Sequence, residues 1–135
     1  MFYLTRREHF NAAHKLHNAN WSDEKNLEIF GGCANPNWHG HNYVLYVTVK
    51  GTIDADLGYV VNMKEISSLI KEHILEKVDH KNLNLDVDFL KDTIPSAENF
   101  AKAIWQQLQP HIKNCTLHCI KLHETENIYV EYFGE

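Results

Sequence analysis

Residues 40–50, GHNYVLYVTVK, constrain the fold more than any other stretch of the chain. Tyr43, Leu45, Val47 and Val49 share one face at a period of two, and β-branched residues dominate the run. Such a strand buries one face, so other elements must cover it. Residues 2–12, FYLTRREHFNA, set Phe2, Leu4 and then Phe10 against polar neighbours and read as a first strand with one wet face. TLHCIKLHE and IYVEYF read as two closing strands around the turn TEN. Between the two pairs, Asn62 followed by Glu65 resembles a capping box, and Met63, Ile66, Leu69, Ile70, Ile74 and Val78 recur at helical spacing. A second helix starts near Ser96, just after Pro95, carries Phe100, Ile104 and Leu108 on one side, and ends at Pro110. The order is β, long loop, β, helix, helix, β, β. It predicts an α+β fold, an antiparallel sheet with helices packed on one face, in a single domain over residues 1–135.

The long loop, from about His14 to Asn37, is rich in Asn, Asp and Gly and holds a short helix at SDEKNLEIF, started by Ser22 and stopped by Gly31. An excursion of that length inside a compact domain is usually functional. The formal net charge of -5 argues against nucleic acid as the main partner, because neutralising phosphates takes a basic face. No apolar run is long enough to cross a membrane, and no leader pattern precedes the first strand. Three cysteines without framework spacing suit a reducing cytoplasm. Ten histidines are a prior for metal or acid–base chemistry.

His39 and His41 open the strongest strand. Residues i and i+2 point to the same face roughly 6 to 7 Å apart, so two imidazoles there can converge on one ion. A zinc site needs a third ligand. His14 and His17, in AAHKLH, both qualify on spacing, and pairing of the first two strands would bring His14 beside the H-x-H. Cys33 has two available roles, fourth ligand of a closed structural site or free thiol whose thiolate a nearby cation favours. Asp79 and His80, taken alone, read as a solvated helix end, Glu124 as a turn residue, and Ser96 with Glu98 as a helix cap and first-turn charge.

Taken together, FNAAHKLH, CANPNWHGHNY, VDHKNLNLDV, SAEN and HETEN resemble, in order and spacing, the 6-pyruvoyl-tetrahydropterin synthases and the related bacterial 6-carboxytetrahydropterin synthases of queuosine precursor synthesis. The resemblance covers essentially the whole chain. It implies the tunnelling fold (T-fold): a four-stranded antiparallel sheet with two helices on one side, three subunits joined into a barrel and two trimers stacked into a homohexamer. It further implies His14, His39 and His41 as zinc ligands, with His17 outside the set, and Cys33 as a catalytic cysteine that does not bind the metal. Asp79 and His80 match a proton-transfer pair supplied by a neighbouring subunit. Glu124 matches the pterin anchor, and Ser96 lies beside the pterin.

The implied substrate is 7,8-dihydroneopterin triphosphate, and the implied reaction is loss of triphosphate with formation of 6-pyruvoyltetrahydropterin, as in tetrahydrobiopterin synthesis. The alternative product is 6-carboxytetrahydropterin with acetaldehyde; the five residues between Cys33 and His39 favour the first. A reading of a different class is a non-catalytic zinc- or pterin-binding module. Gly32 stands where animal relatives have lysine, which leaves Lys15, Lys25, Arg6 and Arg7 as candidate triphosphate contacts. Trp38, just before His39, occupies a site often held by glycine and either walls the pocket or only packs.

Overall fold

In the computed structural model, which describes residues 1–135, strand β1 (Phe2–His14) pairs antiparallel with β2 (His39–Gly51) along its whole length, from Phe2 opposite Gly51 to His14 opposite His39. Strand β1 runs two residues past the sequence-predicted end, and that extension carries His14 into the sheet. Strand β4 (Thr116–His123) pairs antiparallel with the other edge of β2, and β5 (Tyr129–Tyr132) with β4. These four strands are the expected antiparallel sheet. A fifth, β3 (Lys81–Asn82), adds two residues parallel to β1, so the strand order is β3-β1-β2-β4-β5. Two residues carry no periodicity, which is why this strand has no signature in the sequence.

Tyr43, Leu45, Val47 and Val49 are buried on the covered face, as their alternation predicts. A bulge where the β2–β4 register shifts between Thr48 and Val49 changes which β4 residues point inward. Leu117, opposite Val49, is buried in the core before it, and Ile120 and Leu122, opposite Val47 and Leu45, after it.

One side of the sheet is covered by two helical layers. The first begins as α2 (Met63–Ile70), capped by the Asn62 side chain, which accepts from the Lys64 N–H. It passes through a π turn, Lys71–Leu75, into the short α3 (Glu76–Val78). Ile66, Ile70, Ile74 and Val78 are all buried at intervals of four. A regular α-helix would rotate such a stripe progressively off the core, and the wider π turn holds it in phase. The second layer is α4 (Ala97–Leu108), whose Phe100, Ile104 and Leu108 are fully buried. In the long loop, α1 (Asp23–Phe30) starts at Ser22 and stops at Gly31, whose φ of 58° ends it. No helix is long and apolar enough to cross a membrane.

Candidate active site

The β1–β2 register builds the site. His14 closes β1 directly opposite His39, the first residue of β2, and His41 lies two residues on along the same face, opposite Ala12. The three imidazoles meet in T-shaped contacts, with ring centroids 4.6, 5.0 and 4.9 Å apart. One nitrogen from each ring lies within 4.8 Å of the other two, and neither His17 nor Cys33 joins the group.

The hydrogen bonding of this triad is open at one point. His14 is 1% exposed, and its Nδ1 lies 2.8 Å from the Pro95 carbonyl. A carbonyl only accepts, so Nδ1 carries the proton and Nε2 presents a lone pair. That Nε2, Nδ1 of His39 and Nε2 of His41 are all buried without a partner. An unsatisfied buried polar atom costs about 1–3 kcal/mol, so one on each ring of the cluster calls for a partner beyond the chain's own groups. Burial also pushes His14 and His39 below the ordinary 6.5, helped by the neighbouring imidazoles. Metals bind the neutral imidazole, so the donor set suits a metal ion.

A fourth buried orphan lies beside them. The Tyr43 hydroxyl has no partner, and its ring sits 5.6 Å from His41 and 6.2 Å from His14. Glu124 borders the same space, with Oε1 3.6 Å from His41 Nε2, beyond a normal hydrogen bond. Ser96 caps α4, its hydroxyl accepting from the Asn99 N–H at 3.2 Å, next in sequence to the Pro95 carbonyl that holds His14.

Cys33 is exposed within the 3-10 turn Gly31–Ala34, and its carbonyl accepts from the Leu16 N–H at 2.7 Å. The preceding helix is pinned by Asn26, 1% exposed, whose amide bonds both the N–H and the carbonyl of Asn18. Among the candidate triphosphate contacts, the Lys15 ammonium sits 4.2 Å over Trp38 and the Lys25 ammonium 4.4 Å over Trp21. Arg6 is engaged with Glu8 at 2.9 Å. Arg7 is exposed on β1.

Asp79 and His80 form a pair at 2.9 Å. Asp79 also accepts from the Asn11 N–H, and the His80 N–H donates to the Asn11 carbonyl, at 3.0 and 2.6 Å. The His80 side chain is 77% exposed and borders an open groove of about 550 Å³ along Asn11, Ala12, Ala13, Gly40, His41 and Asn42, so the groove runs from the pair to one histidine of the triad. Of these, Asn11, Ala13, Gly40 and Asn42 alternate with the triad and lie on the bare face of the sheet, whereas Ala12 and His41 belong to the covered face. No hydrogen bond or ion pair joins the pair to the triad within the chain.

Sequence reasoning did not single out Pro95, Tyr43 or Asn26 as parts of this site. The first acts through its carbonyl, which every residue has. Tyr43 reads as core, and an asparagine in a loop reads as turn chemistry.

The comparisons with known proteins agree with this geometry. A family described as 6-pyruvoyl tetrahydropterin synthase matches residues 3–135. The chain belongs to that family. It is 44% identical over 132 residues to the 6-pyruvoyl tetrahydrobiopterin synthase of Pongo abelii, covering 98% of this chain and 91% of that one. It is 31% identical over 114 residues to the 6-carboxy-5,6,7,8-tetrahydropterin synthase of Bacillus subtilis, covering 82% and 68%. The structure of the Caenorhabditis elegans 6-pyruvoyl tetrahydropterin synthase superposes with a TM-score of 0.93 at 35% identity, covering 99% of this chain and 96% of that one. Family membership agrees with the sheet-and-two-layer architecture, and the histidine triad is a set that could hold the metal of such an enzyme.

Proposed function

We propose that the protein is a zinc-dependent carbon–oxygen lyase that converts 7,8-dihydroneopterin triphosphate into 6-pyruvoyltetrahydropterin with loss of triphosphate. The observation that carries this reading is the convergence of one ring nitrogen from each of His14, His39 and His41 within 4.8 Å of one another. Three protein ligands leave coordination positions free, as catalytic rather than structural zinc requires. When bound, zinc supplies a Lewis acid toward the side-chain hydroxyl oxygens of the pterin.

The chain's own groups do the rest. Glu124 accepts two parallel N–H bonds from the guanidine-like edge of the pterin, and Ser96 lies beside the ring. Cys33, as thiolate, removes a proton from the substrate side chain, and His80, oriented by Asp79, exchanges another. Elimination of triphosphate and internal tautomerisation then give the product without an external redox cofactor. Asp79 and His80 serve a neighbouring subunit in a homohexamer built as a dimer of trimers, the assembly that the family resemblance implies. Three free cysteines accord with a reducing cytoplasm.

Mass spectrometry of the products formed from 7,8-dihydroneopterin triphosphate tests the reaction. The reading expects 6-pyruvoyltetrahydropterin and triphosphate. 6-Carboxytetrahydropterin with acetaldehyde would replace it by the queuosine-type activity, a second reading that the Bacillus subtilis relative supports. Replacing Cys33 by alanine separates an enzyme from a zinc- or pterin-binding module. Retained zinc with turnover reduced by roughly 10²–10⁴-fold fits general-base catalysis. Loss of zinc together with folding would favour the module.

A further inference from the structure

Three consecutive positions at the exit of β1 are each held by a different segment. The His14 ring is held by the Pro95 carbonyl, and the Leu16 N–H by the Cys33 carbonyl. Between them, Lys15 is clamped on both sides of its backbone by one side chain. Asn84 Oδ1 accepts from the Lys15 N–H at 3.0 Å, and Asn84 Nδ2 donates to the Lys15 carbonyl at 3.1 Å. The segment that presents Asn84 is organised by its own bonds. Asn82 Oδ1 accepts from the Asn84 and Leu85 N–H groups at 2.9 and 3.1 Å, and the Asn82 N–H donates to Asp86 at 2.9 Å. Asn82 in turn belongs to β3, which ties the segment to β1 through Ala13.

We propose that Asn84 is a positioning residue, which fixes the Lys15 peptide so that His14 and the Cys33 turn keep their places relative to each other. The inference rests on the triad holding the metal, and it goes beyond the roles proposed for Asp79 and His80 in the same VDHKNLNLDV stretch. The chemistry is specific to an amide. Only a group with one donor and one acceptor on the same planar carbon satisfies a backbone N–H and C=O together. Asn84→Ala removes both bonds. Asn84→Asp keeps the size and the acceptor but sets a carboxylate oxygen against the Lys15 carbonyl.

The test compares wild type, Asn84→Ala and Asn84→Asp in zinc affinity, by competition with a chelator, and in kcat and KM for 7,8-dihydroneopterin triphosphate. Groups that orient metal ligands typically contribute 10–100-fold, so about tenfold weaker zinc binding is expected in both variants. A kcat for zinc-saturated enzyme lowered by about tenfold, with KM within about threefold, is expected alongside it. Zinc affinity and saturated kcat within about threefold of wild type in folded Asn84→Ala would overturn the proposal, as would full rescue by Asn84→Asp. If neither variant folds, amide exchange in the wild type decides. Exchange at Lys15 and Leu16 should slow together when zinc binds, and rates unchanged by zinc would overturn the proposal. Zinc affinity and amide exchange are read without substrate. A wild type that binds zinc but fails to turn over would sink the lyase reading and leave this test standing.

Discussion

The histidine triad and the Asp79–His80 pair both meet the end of β1, His14 within it and the pair through Asn11, and they are opposite in finish. The triad is assembled by one chain, with His14 buried and His39 and His41 half-buried, and each ring keeps a buried nitrogen without a partner. The pair is open to solvent at His80, bonded at Asp79 Oδ1 and anchored to Asn11, and no hydrogen bond or ion pair joins it to the triad within the chain. One region is complete except for an ion, the other complete except for a target.

Removing one ligand should have the largest effect. His41→Ala leaves two imidazoles, and loss of a Lewis acid worth several kcal/mol predicts a fall in turnover of roughly 10³-fold or more, with zinc content near zero. Metal analysis beside a turnover assay checks it, and an active, zinc-loaded His41→Ala protein would remove the triad from the account.

The pair is next. Cys33→Ala and His80→Ala homo-oligomers should each be nearly inactive, whereas oligomers reassembled from a mixture of the two should regain activity that neither parent shows. Mixed oligomers as inactive as their parents would place Asp79 and His80 in service of their own chain, and the contrast between the regions would disappear.

A smaller effect belongs to pH. His14 and His39 are held below 6.5 in the folded chain, so the unfolded chain binds more protons as the pH falls through that value. Their contribution to stability is therefore present in full above 6.5 and is lost as the pH falls toward the folded values. Thermal denaturation of the metal-free protein should show a Tm that drops between about pH 7.5 and 5.5, and zinc should blunt the drop. A Tm indifferent to pH there would mean the triad is not the strained, neutral cluster described.

The smallest change concerns the fourth orphan. Tyr43→Phe removes a buried hydroxyl with no partner and should raise the stability of the metal-free chain by about 1 kcal/mol in denaturant titration. A comparable fall would show that the hydroxyl is bonded after all and that the orphaned region is confined to the histidines.

Much of this contrast was legible in the sequence. The alternation of Tyr43, Leu45, Val47 and Val49 sets the face that His39 and His41 share, because a period of two carries the orientation backward along the strand. Ile66, Ile70, Ile74 and Val78 mark the first helical layer, although a spacing of four does not reveal the π turn that keeps it in phase. What stayed hidden depends on backbone atoms or on tertiary pairing. The Pro95 carbonyl that fixes the His14 tautomer, the two-residue β3 and the Asn26 and Asn84 latches leave no periodic trace. Asparagine in a loop has the same letter whether it turns the chain or clamps a distant strand.

The central claim is that three histidines bind the metal and Cys33 does not. Zinc X-ray absorption spectroscopy on the loaded protein tests it directly. The account predicts nitrogen and oxygen neighbours at roughly 2.0–2.1 Å and no sulfur. A sulfur neighbour near 2.3 Å, lost in Cys33→Ala, would put the cysteine in the metal's coordination sphere and contradict it.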